Sequence, residues 1–301
     1  MTKRRRRTIS VISILVVTGL LLLGYSYFVE PRELVVDQQT LTIRGWDPAL
    51  NGFKIVAIGD IHAGSNAVDE AKLRDIVRLA NGQNADLIVL LGDYVSQGST
   101  LLHGEHALKM PLETIAEDLA GLKAKYGVVV VTGNHDDWYG HDQVSSAFRD
   151  LGYSVLDDEI YTVDDGRGHK VRILGLMDQL HIRDWAPYSA RLKKVIAEDN
   201  GTGPIIALEH SPDVLPIITG DFSISPELRL MLAAHTHGGQ VWLPLIGSPI
   251  VPSSYGQKYA RGYVQENGVN MFVTTGVGTS ILPFRFMVPP EIAALTLRSD
   301  S

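Results

Sequence analysis

The chain predicts an α/β fold preceded by one membrane-spanning helix. Three observations carry this. Short apolar runs alternate with amphipathic stretches through residues 53–134. The second half is rich in strand-like runs. A basic cluster, "KRRRR", is followed by a charge-free stretch from Ile9 to Val29.

The stretch Ile9–Val29 holds 21 residues. At about 1.5 Å per residue it matches a hydrocarbon core of about 30 Å. Tyr25 and Tyr27 stand near its end, where interfacial aromatics belong. Residues 1–8 read as a basic cytoplasmic tail, 9–29 as a transmembrane signal anchor, 30–50 as a linker with an edge strand, and 51–301 as one folded domain. A cleaved signal peptide, and hence secretion, is the alternative. No A-x-A site follows the apolar run, which favours an uncleaved anchor. Five positive charges before the helix, against Glu30 and Arg32 after it, place the N-terminus in the cytoplasm and the body outside the cytoplasmic face.

"LVVDQQTLTI" (34–43) reads as an edge strand or hairpin arm. "FKIVAIGD" (53–60) is a buried strand. Residues 67–81 carry a helical stripe of Ala71, Leu73, Ile76, Val77 and Ala80. "DLIVLLGD" (86–93) is a second strand, 112–126 a second helix with Pro111 at its start, and "GVVVVTGN" (127–134) a third strand. This β-α-β-α-β order favours parallel pairing. Strands follow at 170–176, 204–210, 228–235, 270–276 and 291–298, with helices only near 190–198 and 213–219. The second half is therefore expected to form its own sheet. No domain boundary is expected within 50–301.

Composition narrows the chemistry. The 301 residues include no cysteine, so disulfides and thiolate metal sites are excluded. The net charge of −7 includes the five positive charges of Lys3–Arg7, so the rest carries −12. Such an acidic body is not expected to bind nucleic acid. There is no P-loop and no G-x-S-x-G elbow.

Polar residues gather where apolar runs stop. "GDIH" gives Asp60 and His62, and "GDY" gives Asp93. "GNHDD" gives Asn134, His135 and Asp136. "EHSPD" gives His210, and "AHTHGG" gives His235 and His237. Each alone has a bland explanation: Asp as a turn former, His as a satisfied core residue. Together they fall at the carboxyl ends of five strands, where α/β sheets place their ligand sites. Three oxygen and four nitrogen donors suit Mn, Fe or Zn better than Ca or Mg, and seven exceed the needs of one tetrahedral ion. Two divalent metal ions are implied.

In this order, "DIH", "GD", "GNHD", "EH" and "AHTH" resemble the calcineurin-like metallophosphoesterase family, and "HTHGGQ", "GVGTSILPFRF" and "PPEI" resemble its membrane-anchored bacterial branch. The resemblance implies a calcineurin-like four-layer α/β/β/α sandwich, two central mixed sheets flanked by helices. It implies that Asp60, His62 and His237 hold one ion, that Asn134, His210 and His235 hold the other, and that Asp93 bridges them. His135 would be the catalytic histidine, with Asp136 orienting its ring. Two positions depart from the pattern. Ala234 stands where glycine is usual, and Gly59 where serine is frequent.

The implied activity is hydrolysis of phosphate esters by a metal-activated water, as a phosphodiesterase acting near the membrane. The apolar, proline-rich segment 241–262 is either a packed loop or a wall for a lipid-linked phosphate ester. The alternatives are a lipid A enzyme resembling UDP-2,3-diacylglucosamine pyrophosphatase, a tethered phosphomonoesterase, and a metal-bearing membrane scaffold without activity. Oligomeric state is left open.

Overall fold

The computed structural model describes residues 3–98, 107–199 and 201–300. Met1 and Thr2 of the basic tail, and residues 99–106, 200 and 301 of the catalytic domain, lie outside the described residues.

Helix α1 (Lys3–Phe28) is one continuous rod that leaves the apolar side chains from Ile9 to Leu23 exposed. It is long and apolar enough to cross a membrane. Twelve strands form two six-stranded mixed sheets among the described residues. The first contains β1 (Val35–Ile43), β2 (Lys54–Ile58), β3 (Leu87–Leu91), β4 (Val128–Val131), β5 (Ser154–Val155) and β12 (Glu291–Ser299), ordered β1-β12-β2-β3-β4-β5. The second contains β6 (Glu159–Asp164), β7 (Lys170–Gly175), β8 (Ile205–Leu208), β9 (Leu228–Ala233), β10 (Gly262–Glu266) and β11 (Val269–Val273), ordered β10-β11-β9-β8-β7-β6.

Both faces of each sheet are covered, which is why the strands read as continuous apolar runs. Alternate side chains explain the layering. Ile55 and Ala57 of β2 face the space between the sheets, with Val89, Leu208 and Leu230. Val56 and Ile58 face outward against three helices: α2 (Glu70–Asn81), α3 (Leu112–Leu119) and α4 (Asn134–Asp150). Leu192 of α5 (Trp185–Glu198) and Ile218 of α6 (Leu215–Thr219) cover the outer face of the second sheet. The result is the expected four layers.

Three expectations need correction. The second half does not keep to its own sheet: β12 lies in the first, antiparallel to β2 and parallel to β1 over nine residue pairs. Its neighbours are set by packing across the whole chain, which no local pattern encodes. Helix α3 stops at Leu119 rather than Tyr126, because Lys125 and Tyr126 donate their N–H groups to Ala85 and Asp86 at the start of β3. Helix α2 begins at Glu70 rather than Ala67, since the Asp69 side chain accepts from the Lys72 N–H and caps the helix there. Segment 34–43 is an edge strand, not a hairpin arm.

The last turn of α1 is docked on the body. The Arg285 N–H donates to the Ser26 carbonyl at 3.0 Å, and Asn66 Nδ2 donates to the carbonyls of Tyr27 and Pro283, both at 2.8 Å. The Tyr27 ring lies edge-on to Phe284, centroids 5.7 Å apart. Glu30 is buried and its carboxylate accepts from the Val288 N–H at 2.6 Å. The fully buried guanidinium of Arg285 donates to the carbonyls of Thr275, Gly276, Gly278 and Val288, which fixes the segment that receives the helix.

Candidate metal centre

β2, β3, β4, β8 and β9 all end at one side of the sandwich, and the polar residues that follow them converge there. The local backbone makes this possible. Asp60, His62, Asp93, His235 and His237 all have positive φ, between 45° and 69°. A left-handed conformation costs a non-glycine residue about 1–3 kcal/mol and is kept where the surroundings enforce it. Here it turns each chain sharply off its strand. Gly133 supplies the clearance: a Cβ there would stand 2.5 Å from Asp93 Oδ1 and 2.9 Å from His210 Cε1.

Asp60, His62, Asp93, Asn134, His210 and His237 are buried. His62 Nε2 and His237 Nε2 face one another at 3.2 Å. Asp93 Oδ2 lies 3.4 Å from His62 Nε2 and 3.2 Å from His210 Nε2. Asp60 Oδ1 lies 3.6 Å from His237 Nε2 and 3.9 Å from His210 Nε2. Asp60, His62 and His237 thus form one close group, and Asp60, Asp93 and His210 a second. A third joins His62, Asp93 and His135. His235 belongs to none of these among the described residues. It packs edge-on to His210, centroids 4.9 Å apart, and its N–H reaches Asp60 Oδ1 at 3.2 Å.

Burial holds His62 down to about 3, His235 down to about 4, and His237 well below the ordinary histidine value. These rings are neutral, with lone pairs to offer. Burial also lifts Asp60 to about 7. Asp93 and His210 oppose that trend: burial disfavours both charges, but their mutual attraction prevails, lowering Asp93 and raising His210. His210 Nδ1 donates to the Leu91 carbonyl at 2.7 Å, so Nε2 is the nitrogen aimed into the site. Asp60 Oδ2, Asn134 Oδ1 and His210 Nε2 have no hydrogen-bond partner despite full burial. Buried polar atoms are normally paired. This donor set, of carboxylate, amide oxygen and neutral imidazole, fits divalent transition metals.

His135 is half-buried at the edge of this group, with its ring 4.7 Å from that of His62. The expected role of Asp136 needs correction. Its carboxylate is spent on four backbone N–H groups, those of Asp93, Tyr94, Val95 and Gly133, at 2.7–3.2 Å. It staples two ligand loops together and leaves His135 to another partner. Gln97 takes that place: its Nε2 donates to the His135 carbonyl at 2.6 Å, and its Oε1 accepts from His135 Nδ1 at 2.7 Å. Sequence reasoning missed Gln97, which stands in a loop 38 residues from its partner.

A cavity of about 500 Å³ opens over the group. Asp93, Asn134, His135, His235 and His237 form its floor, and Trp138, Ile250, Ile281 and Leu282 are among its walls. Segment 241–262 is partly a packed loop, since Ser253 and Ser254 bond Asp213 and Ser248 Oγ donates to the Gly238 carbonyl. It is partly a wall as well, through Ile250 and Pro252.

Comparison with known proteins agrees with this geometry. Residues 53–239 match the calcineurin-like phosphoesterase family. An uncharacterized metallophosphoesterase of Bacillus subtilis, YkuE, is 31% identical over 92% of this chain and 90% of its own. The phosphodiesterase YaeI of Escherichia coli is 26% identical over 91% of this chain and 92% of its own. A zebrafish transmembrane protein with a metallophosphoesterase domain is 27% identical over 96% of this chain, which spans 62% of that longer protein. On the ordered motif, the two-sheet sandwich and a matched segment that includes every residue of the converged group, the chain belongs to the calcineurin-like phosphoesterase family, the metal-dependent hydrolases of phosphate esters.

Proposed function

We propose that the protein is a membrane-anchored phosphodiesterase with a binuclear metal centre. The carrying observation is the convergence of Asp60, His62, Asp93, His210 and His237 into groups whose ligand atoms lie within 4.8 Å of one another, with buried polar atoms left unpartnered. Asp60, His62 and His237 would hold one ion, Asn134, His210 and His235 the other, with Asp93 shared; Mn, Fe and Zn all suit these donors. When bound, the ions supply Lewis-acid activation of water and neutralise charge on the phosphoryl oxygens.

The chain's own residues do the rest. Gln97 fixes His135 with Nδ1–H as donor, because the same amide's NH₂ is occupied by the His135 carbonyl. Nε2 is therefore the atom that carries the second proton of the imidazolium form and gives it to the departing ester oxygen, leaving the neutral ring with Nδ1–H. Burial keeps His135 below the ordinary histidine value, so that protonated form is the minor one near pH 7 and is restored by a proton from solvent. The apolar walls exclude water and leave room for a second ester group, which favours diesters; the name of the YaeI relative points the same way. Helix α1 crosses the membrane with its N-terminus inside, and residues 51–301 work at the membrane surface on the far side.

Full-length protein in detergent, reconstituted with Mn, Fe or Zn, should hydrolyse bis(p-nitrophenyl) phosphate faster than p-nitrophenyl phosphate. A reversed preference would indicate a tethered monoesterase. Cleavage of a diacylated nucleotide sugar alone would indicate the lipid A reaction, and no turnover with any of the three metal-loaded forms would indicate a scaffold. Asp93→Asn should lose bound metal and activity together; full occupancy with full turnover would defeat the bridging assignment.

A further inference from the structure

The cavity wall and the segments beside it carry side chains that a water-facing surface rarely gathers: Ile250, Ile281 and Leu282 line the cavity, and Leu245, Ile246 and Met287 stand on the segments that adjoin it. Leu245 is fully exposed, Ile281 is 80% exposed, and Ile246, Ile250, Leu282 and Met287 are exposed as well. Contiguous exposed apolar surface marks an interaction site. The fold also says what covers this one. The charge-free stretch of α1 ends at Val29, so the far edge of the hydrocarbon core lies near that residue. The body already grips α1 at Ser26 and Tyr27, through Arg285, Asn66 and Phe284. Residues 26 and 27 lie two to three positions inside the stretch, about 3–5 Å below its end. The segment Pro283–Phe286 must therefore sit at the depth of the acyl boundary. Ile281 is three residues from Phe284, within about 10 Å of chain. Gln240 ties this turn to the cavity by donating to the carbonyls of Leu282 and Phe284, at 2.7 and 3.1 Å. The Trp242 N–H bonds the Phe286 carbonyl at 2.8 Å, bringing the base of the loop that carries Leu245, Ile246 and Ile250 to the same level.

We infer that this apolar collar is immersed in the leaflet where α1 ends, so that the cavity opens into the membrane interface and takes its phosphoester from a bilayer lipid. The lipid's phosphate reaches the floor of Asp93, His135 and His237, while its hydrocarbon stays against Ile250, Pro252, Ile281 and Leu282. Immersion depends on α1 crossing the bilayer; the lipid substrate rests in addition on the phosphodiesterase reading above.

The absence of native cysteine allows a direct test. Full-length Ile281→Cys and Leu245→Cys, each carrying an environment-sensitive fluorophore, are placed in phosphatidylglycerol and phosphatidylcholine nanodiscs containing acyl-chain spin labels. Arg167→Cys serves as the reference, exposed in the turn before β7 at the opposite end of the strands. Strong quenching at 245 and 281 but not at 167 is expected. Equal, weak quenching at all three sites overturns the immersed collar, whatever the enzyme hydrolyses. Metal-loaded Leu245→Asp/Ile246→Asp should lower the ratio of nanodisc phospholipid hydrolysis to soluble diester hydrolysis by about tenfold or more, because each lost apolar contact weakens interfacial seating. An unchanged ratio overturns the route from the leaflet. Quenching at the collar without turnover of any ester upholds immersion and defeats the hydrolase reading instead.

Discussion

Gly59 and Ala234 face one another across the two sheets, and a Cβ on Gly59 would stand 2.6 Å from the Cβ of Ala234. Glycine at 234 and serine at 59 are what the resemblance implies, and the residues present compensate: the methyl group of Ala234 occupies the room that serine would take at 59. Gly59→Ser alone should destabilise the protein by about 1–3 kcal/mol, the usual cost of overpacking. Adding Ala234→Gly should bring stability back to within about 1 kcal/mol of the parent. Chemical denaturation of the single and double variants checks this, and additive losses would refute the coupling. His135→Ala should keep its metal while losing about 10²–10⁴ in turnover, the scale of general acid–base help. The loss should shrink for esters with good leaving groups; loss of metal instead would make His135 a ligand, as its proximity to His62 and Asp93 permits. The strand-end residues were legible because an apolar run that stops at a charged residue is visible in one dimension. The roles of Gln97 and Asp136 were not, because both depend on which loops meet.

Helix α4 shows where pattern reading stops at the scale of the element. It begins with Asn-His-Asp-Asp and kinks at Gly140, where φ is 158°; only its second half buries an apolar pair, Val144 and Phe148. A helix with so narrow an apolar stripe gives little periodicity to detect. Its position is held instead by charge. His141 bonds Asp137 at 2.9 Å and lies 3.5 Å from Asp157, and Asp137 also meets His181 at 2.8 Å. Hydrogen bonds to Asp137 and then Asp157 lift His141 to about 10. The folded value is raised, so the stabilisation is fully present below the unfolded histidine value of about 6.5 and is lost as pH rises through about 10. His141→Gln should therefore lower the melting temperature most near pH 6, and the difference should fade above about pH 10. A deficit independent of pH would show that packing, not charge, carries the contact. Strands β5, β6 and β10 also escaped detection, being short or half-exposed.

At the scale of the whole molecule, α1 and the hydrolase domain are joined, since α1, the segment 283–288 and the cavity wall share hydrogen bonds. Protease added to intact spheroplasts should digest the body and leave a fragment containing α1, whereas protection until lysis would place the site in the cytoplasm. The two sheets were legible as classes of element, but the joining of the chain's ends was not. That joining has a consequence for biogenesis. β12, made last, is inserted between β1 and β2, made first, and pairs with both. Contacts so distant in sequence form slowly. Until β12 has been synthesised, the β2 edge that it covers stands open. For that interval the unfinished sheet presents an unpaired edge, the form most prone to mispairing with a second nascent chain. The ordering makes β12 a kinetic checkpoint: β2, which leads into Asp60 and His62, gains its neighbour on that side only once β12 has emerged, so a product truncated before β12 is left without it.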